Sequence, residues 1–536
     1  MNHKLITIAS LMVINTIDIT TALFAGVAVR SCQGRRHKSS FCRLILRERC
    51  ARCLHASNGL IEKNTAASIH QQLVIFRPPS RHTYGFVDDE SNYDLPQLEL
   101  GALIHHICET AEFEFVPVIQ REHVEQRELH DVAVQGKIRS RVQKSSLKVQ
   151  SLYWMNGNIS LNVVAMAASK AILTHATLLI NASYEFTQDE WNAADNFDDA
   201  KYQELLGTNV DVIDMTNANL GIQQKNSFLQ RVAFLFHTRE LPFITDLDDP
   251  IILHHVNESD IAGTIHYIHF GKRIAIGPAG TKGAPSQTLR RTHRGLLREY
   301  AIKNRMNEYD AGDFARSNIS TAMEPEIGFL MANLALAGSH DSSGSIRFLD
   351  PCCGSGSLLL YSAALGATQL VGVDSNPSVW IGADAEFENH GHANPNFIEG
   401  DVFNPTKTIV LSTSDSFDAI VCDPPYNIGA PVFIDKKDSR PRNRFRDHNE
   451  TNNISTTNEI NNSDDVTQAI LLLAGNVLVN RGRVVFFLPV KGKTQTPCAI
   501  KQYDDMLQSA NLSLVFERKQ QFTSTFSRWL VCLEKT

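Results

Sequence analysis

The sequence predicts an α/β fold with a largely parallel sheet for the C-terminal part of this 536-residue chain. From about residue 311, short apolar runs alternate with amphipathic stretches of helical spacing, which is the pattern of parallel strands joined by helices. A Gly-x-Gly turn follows one of the apolar runs, and an aspartate ends the next. Because ligands bind outside the carboxyl ends of the strands in such sheets, these features predict a ligand site.

The composition limits the classes of protein that fit. A chain of this length is expected to hold roughly two to four domains. Its 43% hydrophobic and 20% charged residues are ordinary values for a soluble globular protein. The formal net charge of -7 excludes a general polyanion binder. Any contact with nucleic acid is therefore expected from local basic patches.

The ten cysteines show no disulfide-like spacing. Cys50 and Cys53 form a single C-x-x-C pair, whereas a structural zinc site needs a second pair of ligands, and none follows at the usual spacing. Other cysteines stand in apolar runs and are expected to be reduced and buried: Cys352, Cys353, Cys422 and Cys532. The sequence therefore predicts no metal site.

Residues 1–65 are expected to be an extension outside the fold. Residues 5–29 are largely apolar but contain Asn15 and Asp18, and a membrane-spanning helix tolerates a central aspartate poorly. An arginine-rich stretch follows, as in a cleaved signal or an organelle transit peptide. A targeting segment and a simple extension both fit. No other segment is long and apolar enough to span a bilayer, so no membrane contact is expected.

Residues 66–312 show a mixed α+β pattern. Strands are expected over residues 70–76, 113–118, Arg231–His237, Ile251–His255 and 264–276, and helices from Pro96 to about Ala111, within Leu161–Tyr184 before a further strand, and in the acidic stretch 186–207. A basic helix follows, and it offers candidate RNA contacts: Arg290, Arg291, Arg294 and Arg298. A solvated helix face is the alternative for these arginines.

The C-terminal sheet is expected to contain short buried strands. These are Ile346–Asp350, Gln369–Asp374, a short run from Phe397 to Asp401, Phe417–Cys422 and Arg483–Leu488. Residues 435–465 are rich in Asn, Asp and Arg and nearly free of apolar residues, which predicts a disordered insertion.

The first chemical signal is the turn after the strand that ends at Asp350. Gly354, Ser355 and Gly356 follow, and a helix is expected to start near Leu358. Glycines let the chain turn sharply and approach a ligand closely, and the N–H groups of the helix N-terminus face that ligand. A Gly-x-Gly alone is a weak signal, and its context has to strengthen it.

Aspartates at two further strand ends strengthen this signal. Asp374 is placed to accept hydrogen bonds from ribose hydroxyls, and Asp401 could reach an adenine ring. The alternatives are a helix cap for Asp374 and a loop acid for Asp401. A nicotinamide dinucleotide would use the same logic as S-adenosylmethionine. However, Leu359 stands where the dinucleotide fingerprint has its third glycine, which favours S-adenosylmethionine.

The most specific motif is Asp423-Pro424-Pro425-Tyr426, directly after an apolar run. Proline cannot continue a central ladder, so the strand must end there with a stiffened backbone. The exocyclic amino group of a base is a poor nucleophile because its lone pair is delocalised into the ring. Asp423 and the Pro424 carbonyl can accept its two hydrogens and aim its lone pair at a methyl group. Tyr426 offers a ring on which an extruded base can stack.

These two motifs together are similar to those of class I amino-methyltransferases. Further segments resemble the catalytic subunits of eukaryotic tRNA (guanine-10-2-amino) methyltransferases, namely residues 93–100, 241–243, 267–275, 298–300, 320–336 and 526–535. The resemblance covers roughly residues 70–536 and is patchy between 120 and 225. The sequence departs from the family in two motifs. Cys352-Cys353-Gly354-Ser355-Gly356 stands where the family usually has Phe-Val-Gly-Thr-Gly, and Asn427 replaces a usual glycine after Asp-Pro-Pro-Tyr.

The resemblance implies a Rossmann-like class I methyltransferase sheet preceded by an α+β region that contains a THUMP domain. The expected organisation is an extension over 1–65, an N-terminal α+β domain over 66–145, a THUMP-like RNA-binding domain over 146–265, a basic linker over 266–312 and the methyltransferase domain over 313–536. It also implies a small zinc-binding activator subunit as partner and a cytoplasmic location. Organelle import through the N-terminal extension is the alternative location.

The resemblance also assigns roles to the motif residues. S-adenosylmethionine would be held by Asp350, Gly354, Ser355, Gly356, Asp374 and Asp401. The target guanine would be held by the catalytic motif Asp423, Pro424, Pro425 and Tyr426.

The expected function is therefore methylation of the 2-amino group of a tRNA guanosine, at position 10 by resemblance. Methylation of a ribosomal RNA guanine or a DNA adenine is an alternative, since Asp-Pro-Pro-Tyr serves all these amines. A catalytically silent tRNA-binding scaffold is a third reading. An altered Asp423 or a broken glycine turn would favour that scaffold, and both features are intact.

Overall fold

In the computed structural model, the described residues are 71–78, 83, 86, 94–118, 151–194, 210–216, 221–241, 249–259, 263–284, 286, 289, 307, 323–337, 345–403, 416–425, 463–491, 499–521 and 526–536. All of them belong to one compact unit that begins at Ile69. The extension over 1–65, the basic stretch around Arg290 and nearly all of the insertion over 435–465 lie outside these ranges. None of the helices within the ranges has the length and apolar character needed to cross a membrane.

The N-terminal sheet has seven strands in the described part of the chain. They are β1 (Gln71–Phe76), β2 (Phe113–Pro117), β3 (Leu152–Gly157), β4 (Thr174–Thr187), β5 (Asp211–Asp214), β6 (Pro250–Ser259) and β7 (Gly263–Ile276). Their order across the sheet is β2-β3-β1-β4-β7-β6-β5. Neighbouring strands run antiparallel, except that β5 and β6 run parallel.

Four helices accompany this sheet within the described ranges. They are α1 (Leu95–Ile107), α2 (Leu161–Lys170), α3 (Gln188–Ala193) and α4 (Ile222–Thr238). Alternate side chains of β1 enter different cores, because successive residues of a strand point to opposite faces. Val74 packs in a core with Leu100 of α1, whereas Leu73 packs with Leu253 of β6 in another.

Most expected elements of this half are present, but the strand expected over Arg231–His237 is wrong. These residues lie within helix α4. The buried residues of α4 include Phe228, Val232 and Phe236, and Leu229 beside them; the separations of four and eight positions from Phe228 place Val232 and Phe236 on the same face of a helix. The helix expected to reach about Ala111 ends at Ile107, since Cys108 is extended.

The N-terminal sheet also bears on the expected domain limits. The limit between residues 145 and 146 separates β1 and β2 from β3, although these three strands are neighbours in one sheet. The limit between residues 265 and 266 falls inside β7. The described strands from Gln71 to Ile276 therefore form one structural layer.

The C-terminal sheet also has seven strands in the described part of the chain. They are β8 (Arg347–Asp350), β9 (Gln369–Asp374), β10 (Asn396–Glu399), β11 (Phe417–Cys422), β12 (Leu478–Lys491), β13 (Leu512–Gln521) and β14 (Phe526–Lys535). Their order is β10-β9-β8-β11-β12-β14-β13. The strands from β10 to β12 are parallel, and β14 runs antiparallel to both of its neighbours.

The helices of this half pack against the sheet in two hydrophobic cores. The described helices are α5 (Pro325–Leu336), α6 (Ser357–Ala364), α7 (Ala383–Asn389), α8 (Ser463–Val477) and α9 (Asp504–Ser509). Residues of α5 and α6 share one core with β8, β11 and β12, and residues of α8 and α9 share the other. The core of α5 also includes Leu95, Ile172 and Leu173 from the N-terminal half, so it is continuous between the two halves.

A buried carboxyl group adds a polar connection between these halves. Glu99 of α1 accepts hydrogen bonds from the Ile172 and Leu173 N–H groups at 3.0 and 2.9 Å and from the Asn333 amide of α5 at 2.6 Å. Burial raises the pKa of Glu99 to about 7, although these donors favour its charged form.

Candidate active site

The glycine turn connects β8 to α6 as expected. Gly354 and Gly356 have φ values of +50° and +77°, in the left-handed region that favours glycine. A Cβ atom on Gly356 would lie 2.9 Å from Cζ of Phe397. The turn is closed by the Gly356 N–H, which donates to the Cys353 carbonyl at 2.8 Å, and Ser355 within it is buried. The sequence needs glycine here for both conformation and space.

Asp374 ends β9 and reaches back to this turn. Its Oδ2 accepts a hydrogen bond from the Gly354 N–H at 2.9 Å, and its Oδ1 accepts one from the Asn376 N–H at 3.0 Å. Burial raises the pKa of Asp374, and these backbone donors oppose that effect. The carboxylate expected to meet a ribose therefore also fixes the conformation of the turn.

Asp350 is buried beneath the same turn. Only 1% of it is exposed, and its carboxylate accepts a hydrogen bond from the Cys352 N–H at 3.2 Å. Burial raises the pKa of Asp350 well above its usual range, and the nearby charges of Asp374 and Asp423 add to this effect. Three acidic side chains are thus grouped at one edge of the sheet.

Asp401 lies just beyond the end of β10. Its Oδ1 accepts a hydrogen bond from the Phe403 N–H at 2.9 Å, so the side chain stabilises the local turn. The Gly400 N–H donates to the Asp374 carbonyl at 3.0 Å, which keeps the ends of β9 and β10 together. Asp401 therefore lies at the expected edge, where its side chain makes the local contact expected of a loop acid.

Asp423 and Pro424 follow directly on the buried strand β11, which ends at Cys422. Strand β11 pairs with β8 through Ile420 and Leu349, so Asp423 and the glycine turn leave neighbouring parallel strands at the same edge. From β8 the chain adds strands toward β10 on one side of the sheet, and from β11 it adds β12 on the other side. Open α/β sheets form their ligand crevice where the strand order reverses in this way. Pro425 is also described, whereas Tyr426 lies outside the described residues.

Arg528 is a site residue that the motifs did not reveal. It lies on β14, and its Nη1 donates to Oδ1 of Asp423 at 3.3 Å. The sequence from Phe526 to Lys535 carries the family resemblance but assigns no role to this arginine. A signal was available, because an arginine beside the apolar run Trp529–Leu533 is expected to be buried and to need an acidic partner.

The remaining expected contacts fall outside the described ranges. The candidate RNA-binding residues are Arg290, Arg291, Arg294 and Arg298, and none of them is among the described residues. The Cys50–Cys53 pair is likewise outside. Within the described residues, no group of three or more His, Cys, Asp or Glu side chains is arranged to hold a metal ion.

Comparisons with known proteins agree with the C-terminal architecture. Residues 342–513 match a family described as a methyltransferase domain. The chain is 28% identical over 226 residues to the tRNA (guanine(10)-N(2))-methyltransferase TRMT11 of Dictyostelium discoideum, an alignment that covers 39% of this chain and 42% of that protein. It is 26% identical over 289 residues to the TRMT11 protein of Gallus gallus, covering 50% of this chain and 53% of that protein.

The chain thus spans about half the length of the curated relatives it matches. Among solved structures, it is similar to TrmN from Thermus thermophilus at 14% identity and a TM-score of 0.33, with 87% of this chain and 100% of that chain covered. Residues 342–513 thus match the methyltransferase-domain family model, the C-terminal sheet has a Rossmann-like class I methyltransferase fold, and the chain is similar to tRNA (guanine(10)-N(2))-methyltransferases.

Proposed function

We propose that this protein transfers a methyl group from S-adenosylmethionine to the exocyclic 2-amino group of a guanosine in tRNA. The observation that carries the proposal is the pairing of β8 with β11. This pairing brings the glycine turn and the Asp423-Pro424 pair to one edge of the sheet, so a cofactor and an amino group can meet there.

The described residues fit S-adenosylmethionine. Gly354 and Gly356 permit a close approach of the backbone, and α6 begins directly after them with its N–H groups facing the edge. Asp350 and Asp374 place two carboxyls beside this turn. Carboxyl groups suit the ammonium and ribose hydroxyl groups of this cofactor, which supplies an activated methyl group when bound.

Asp423 and Pro424 would perform the work on the acceptor base. The carboxylate and the backbone carbonyl accept the two amino hydrogens, which directs the nitrogen lone pair out of conjugation with the ring. Both groups are held by the end of a buried strand, so they are aligned before the substrate arrives. Tyr426 is proposed to stack on the extruded base.

The choice of tRNA guanosine rests on the relatives, which are named tRNA (guanine(10)-N(2))-methyltransferases. The resemblance adds three further parts to the proposal, namely a THUMP-like domain that binds tRNA, a small zinc-binding activator subunit and a cytoplasmic location. A fluorescent fusion of the full chain tests the location, with a variant lacking residues 1–65 as its control. Signal in an organelle that depends on residues 1–65 would contradict a cytoplasmic location.

Methyl transfer tests the proposed function directly. The full chain, co-expressed with the small activator subunit, is incubated with labelled S-adenosylmethionine and total tRNA, and the nucleosides are then separated. We expect the label on the 2-amino group of guanosine. Cofactor binding without label in tRNA would point to ribosomal RNA or DNA amines, which the same assay tests with those substrates. A chain that binds tRNA but no cofactor would be a silent scaffold.

A further inference from the structure

Arg528 is buried on β14, the second strand from one edge of the C-terminal sheet, next to the site. The residue is 8% exposed and lies directly opposite Gln520 of the neighbouring strand β13. Burying a guanidinium group is costly unless its N–H groups and its charge are matched by the surrounding residues. The contacts of Arg528 show which groups offset this cost.

The guanidinium group is held on several sides. Its Nε donates to Oε1 of Gln520 at 2.7 Å, and its Cζ atom lies over the ring of Phe487, 3.4 Å from the ring centre. Its Nη2 lies 4.0 Å from Sδ of Met323, just before α5. Arginine presents its donors in a rigid planar fork, so these contacts fix the direction of Nη1.

Nη1 points at the acidic side chain of the catalytic motif, where it donates to Oδ1 of Asp423 at 3.3 Å. The backbone of Asp423 is already constrained by the end of β11 and by the prolines that follow. Contact with Arg528 adds a constraint on the side-chain torsions. A carboxylate whose backbone and side-chain torsions are both constrained is a better-aligned hydrogen-bond acceptor than one that samples several rotamers.

The charge of Arg528 has a second effect. Asp350 lies close enough for the charge of Asp423 to act on it, and Asp374 acts on it as well. Grouped carboxylates favour protonation of one another, whereas a neighbouring guanidinium favours the ionised form. A protonated Asp423 would lose acceptor capacity toward the amino group. Arg528 is buried and forms an ion pair with Asp423.

We propose that Arg528 is a positioning residue that holds the Asp423 carboxylate ionised and oriented toward the amino group of the acceptor base. This inference rests on the proposed function, because Asp423 is its point of action. It predicts a defect in turnover and not in cofactor affinity, since none of the hydrogen-bond and ring contacts of Arg528 described above is made to the glycine turn or to Asp374.

The test compares Arg528→Met, Asp423→Asn and the double variant in the full chain, with tRNA and S-adenosylmethionine as substrates. Arg528→Met is expected to lower kcat about 100-fold while the affinity for S-adenosylhomocysteine, measured by calorimetry, changes less than about threefold. The double variant is expected to be no slower than Asp423→Asn alone, because Arg528 acts through Asp423.

Arg483→Met is a matched control. Arg483 forms a similarly buried ion pair with Glu534 at 2.8 Å in the same sheet, and its side chain is 12% exposed against 10% for Arg528. Arg483 pairs with Ala419 near the start of β11, whereas Asp423 follows the end of that strand. Both Arg483→Met and Arg528→Met should lower the free energy of unfolding, but Arg483→Met should leave kcat within about threefold of the wild type.

A pH profile separates positioning from a merely structural role. A neighbouring cation favours the ionised form of a carboxyl group, so the acidic limb of kcat should move to higher pH in Arg528→Met and stay in place in Arg483→Met. Arg528→Lys should restore the position of this limb through its charge. It should restore kcat only in part, because lysine lacks the planar fork.

The outcomes are distinguishable. An active wild type with Arg528→Met within about threefold of its kcat, or with losses that add in the double variant, would overturn the positioning role. A wild type that methylates no tRNA would overturn the proposed function and the positioning role with it. Urea unfolding of the wild type, the two single variants and the double variant tests the contact between Arg528 and Asp423 independently of activity. The midpoint shift caused by Arg528→Met should be smaller in the Asp423→Asn background than in the wild type.

Discussion

At the scale of the residue, Asp423 combines a fixed backbone with a fixed side chain. It follows the fully buried strand β11, and its carboxylate contacts Arg528. The proposed reaction requires an acceptor whose direction is set before the base arrives, and these two constraints provide it. The residue is consequently where the proposed chemistry is most sensitive to substitution.

Replacing Asp423 by alanine is expected to remove methyl transfer while leaving cofactor binding nearly intact. The loss in kcat should be about 100-fold or more, because an aligned acceptor for the amino hydrogens disappears. Single-turnover methyl transfer and calorimetry with S-adenosylhomocysteine measure the two quantities. Near-normal turnover in Asp423→Ala would contradict its role as the acceptor of the amino hydrogens.

Asp374 is expected to contribute to cofactor affinity in two ways. Its carboxylate is proposed to meet the ribose, and it accepts a hydrogen bond from the Gly354 N–H. Asp374→Ala should weaken cofactor binding roughly ten- to hundredfold, since hydrogen bonds to a charged group are lost. Asp374→Asn is the matched control, because its amide oxygen keeps one acceptor, and its loss should be smaller. Unchanged affinity in the alanine variant would exclude the ribose role.

At the scale of the element, the strand-turn-helix unit from β8 to α6 depends on Gly356. Alanine at this position would adopt an unfavourable φ of +77° and place its Cβ 2.9 Å from the ring of Phe397. Gly356→Ala should therefore lower the free energy of unfolding by about 1–2 kcal/mol from the backbone conformation alone. The contact with Phe397 should also lower the affinity for the cofactor.

Gly366 offers the control for this variant. It also has a positive φ, of +107°, but a Cβ atom there would meet nothing within 4 Å. Chemical denaturation and cofactor titration of Gly356→Ala and Gly366→Ala separate backbone strain from steric conflict. Equal cofactor affinities in the two variants would show that the contact with Phe397 does not shape the site.

The elements also show which parts of the site are encoded locally. Asp350, Gly354, Asp374 and Asp423 stand at strand ends, and the strand pattern alone brings such positions to one edge of a parallel sheet. Arg528 is 105 residues from Asp423, and it arrives only because β14 inserts antiparallel between β12 and β13. That order depends on long-range packing, which no local pattern specifies.

Helix α4 illustrates the opposite kind of error. A short apolar run such as Arg231–His237 fits a strand and a buried helix segment equally well when it is read alone. The longer window from Ile222 shows the helical spacing of Phe228, Val232 and Phe236. The capping arrangement in which the Gly221 N–H donates to the Gln224 side chain at 3.1 Å also marks the helix start.

At the scale of the whole molecule, Glu99 connects pH with stability. Its pKa is raised from 4.5 to about 7 in the folded protein, so the folded state retains a proton that the unfolded state releases. The stability from this group is therefore fully present below about pH 4.5 and is lost as pH rises through 7. For this fully buried group the change amounts to about 3 kcal/mol.

Urea unfolding between pH 5 and pH 8 measures this effect. Glu99→Gln cannot titrate, so the difference in unfolding free energy between the wild type and this variant should change across that window, to the disadvantage of the wild type at higher pH. A difference that is constant with pH, or one that changes in the opposite direction, would contradict a raised pKa for Glu99.

Helix α5 has a consequence for how this protein can be divided. Its residues from Glu326 to Leu336 are all buried, and its core is continuous with Leu95, Ile172 and Leu173 of the N-terminal half. A fragment beginning at Met323 would expose part of that apolar surface to water and leave Asn333 without Glu99, its buried partner 234 residues away. The C-terminal sheet is therefore not an independent module, and joining it to a different N-terminal domain would require redesign of α5.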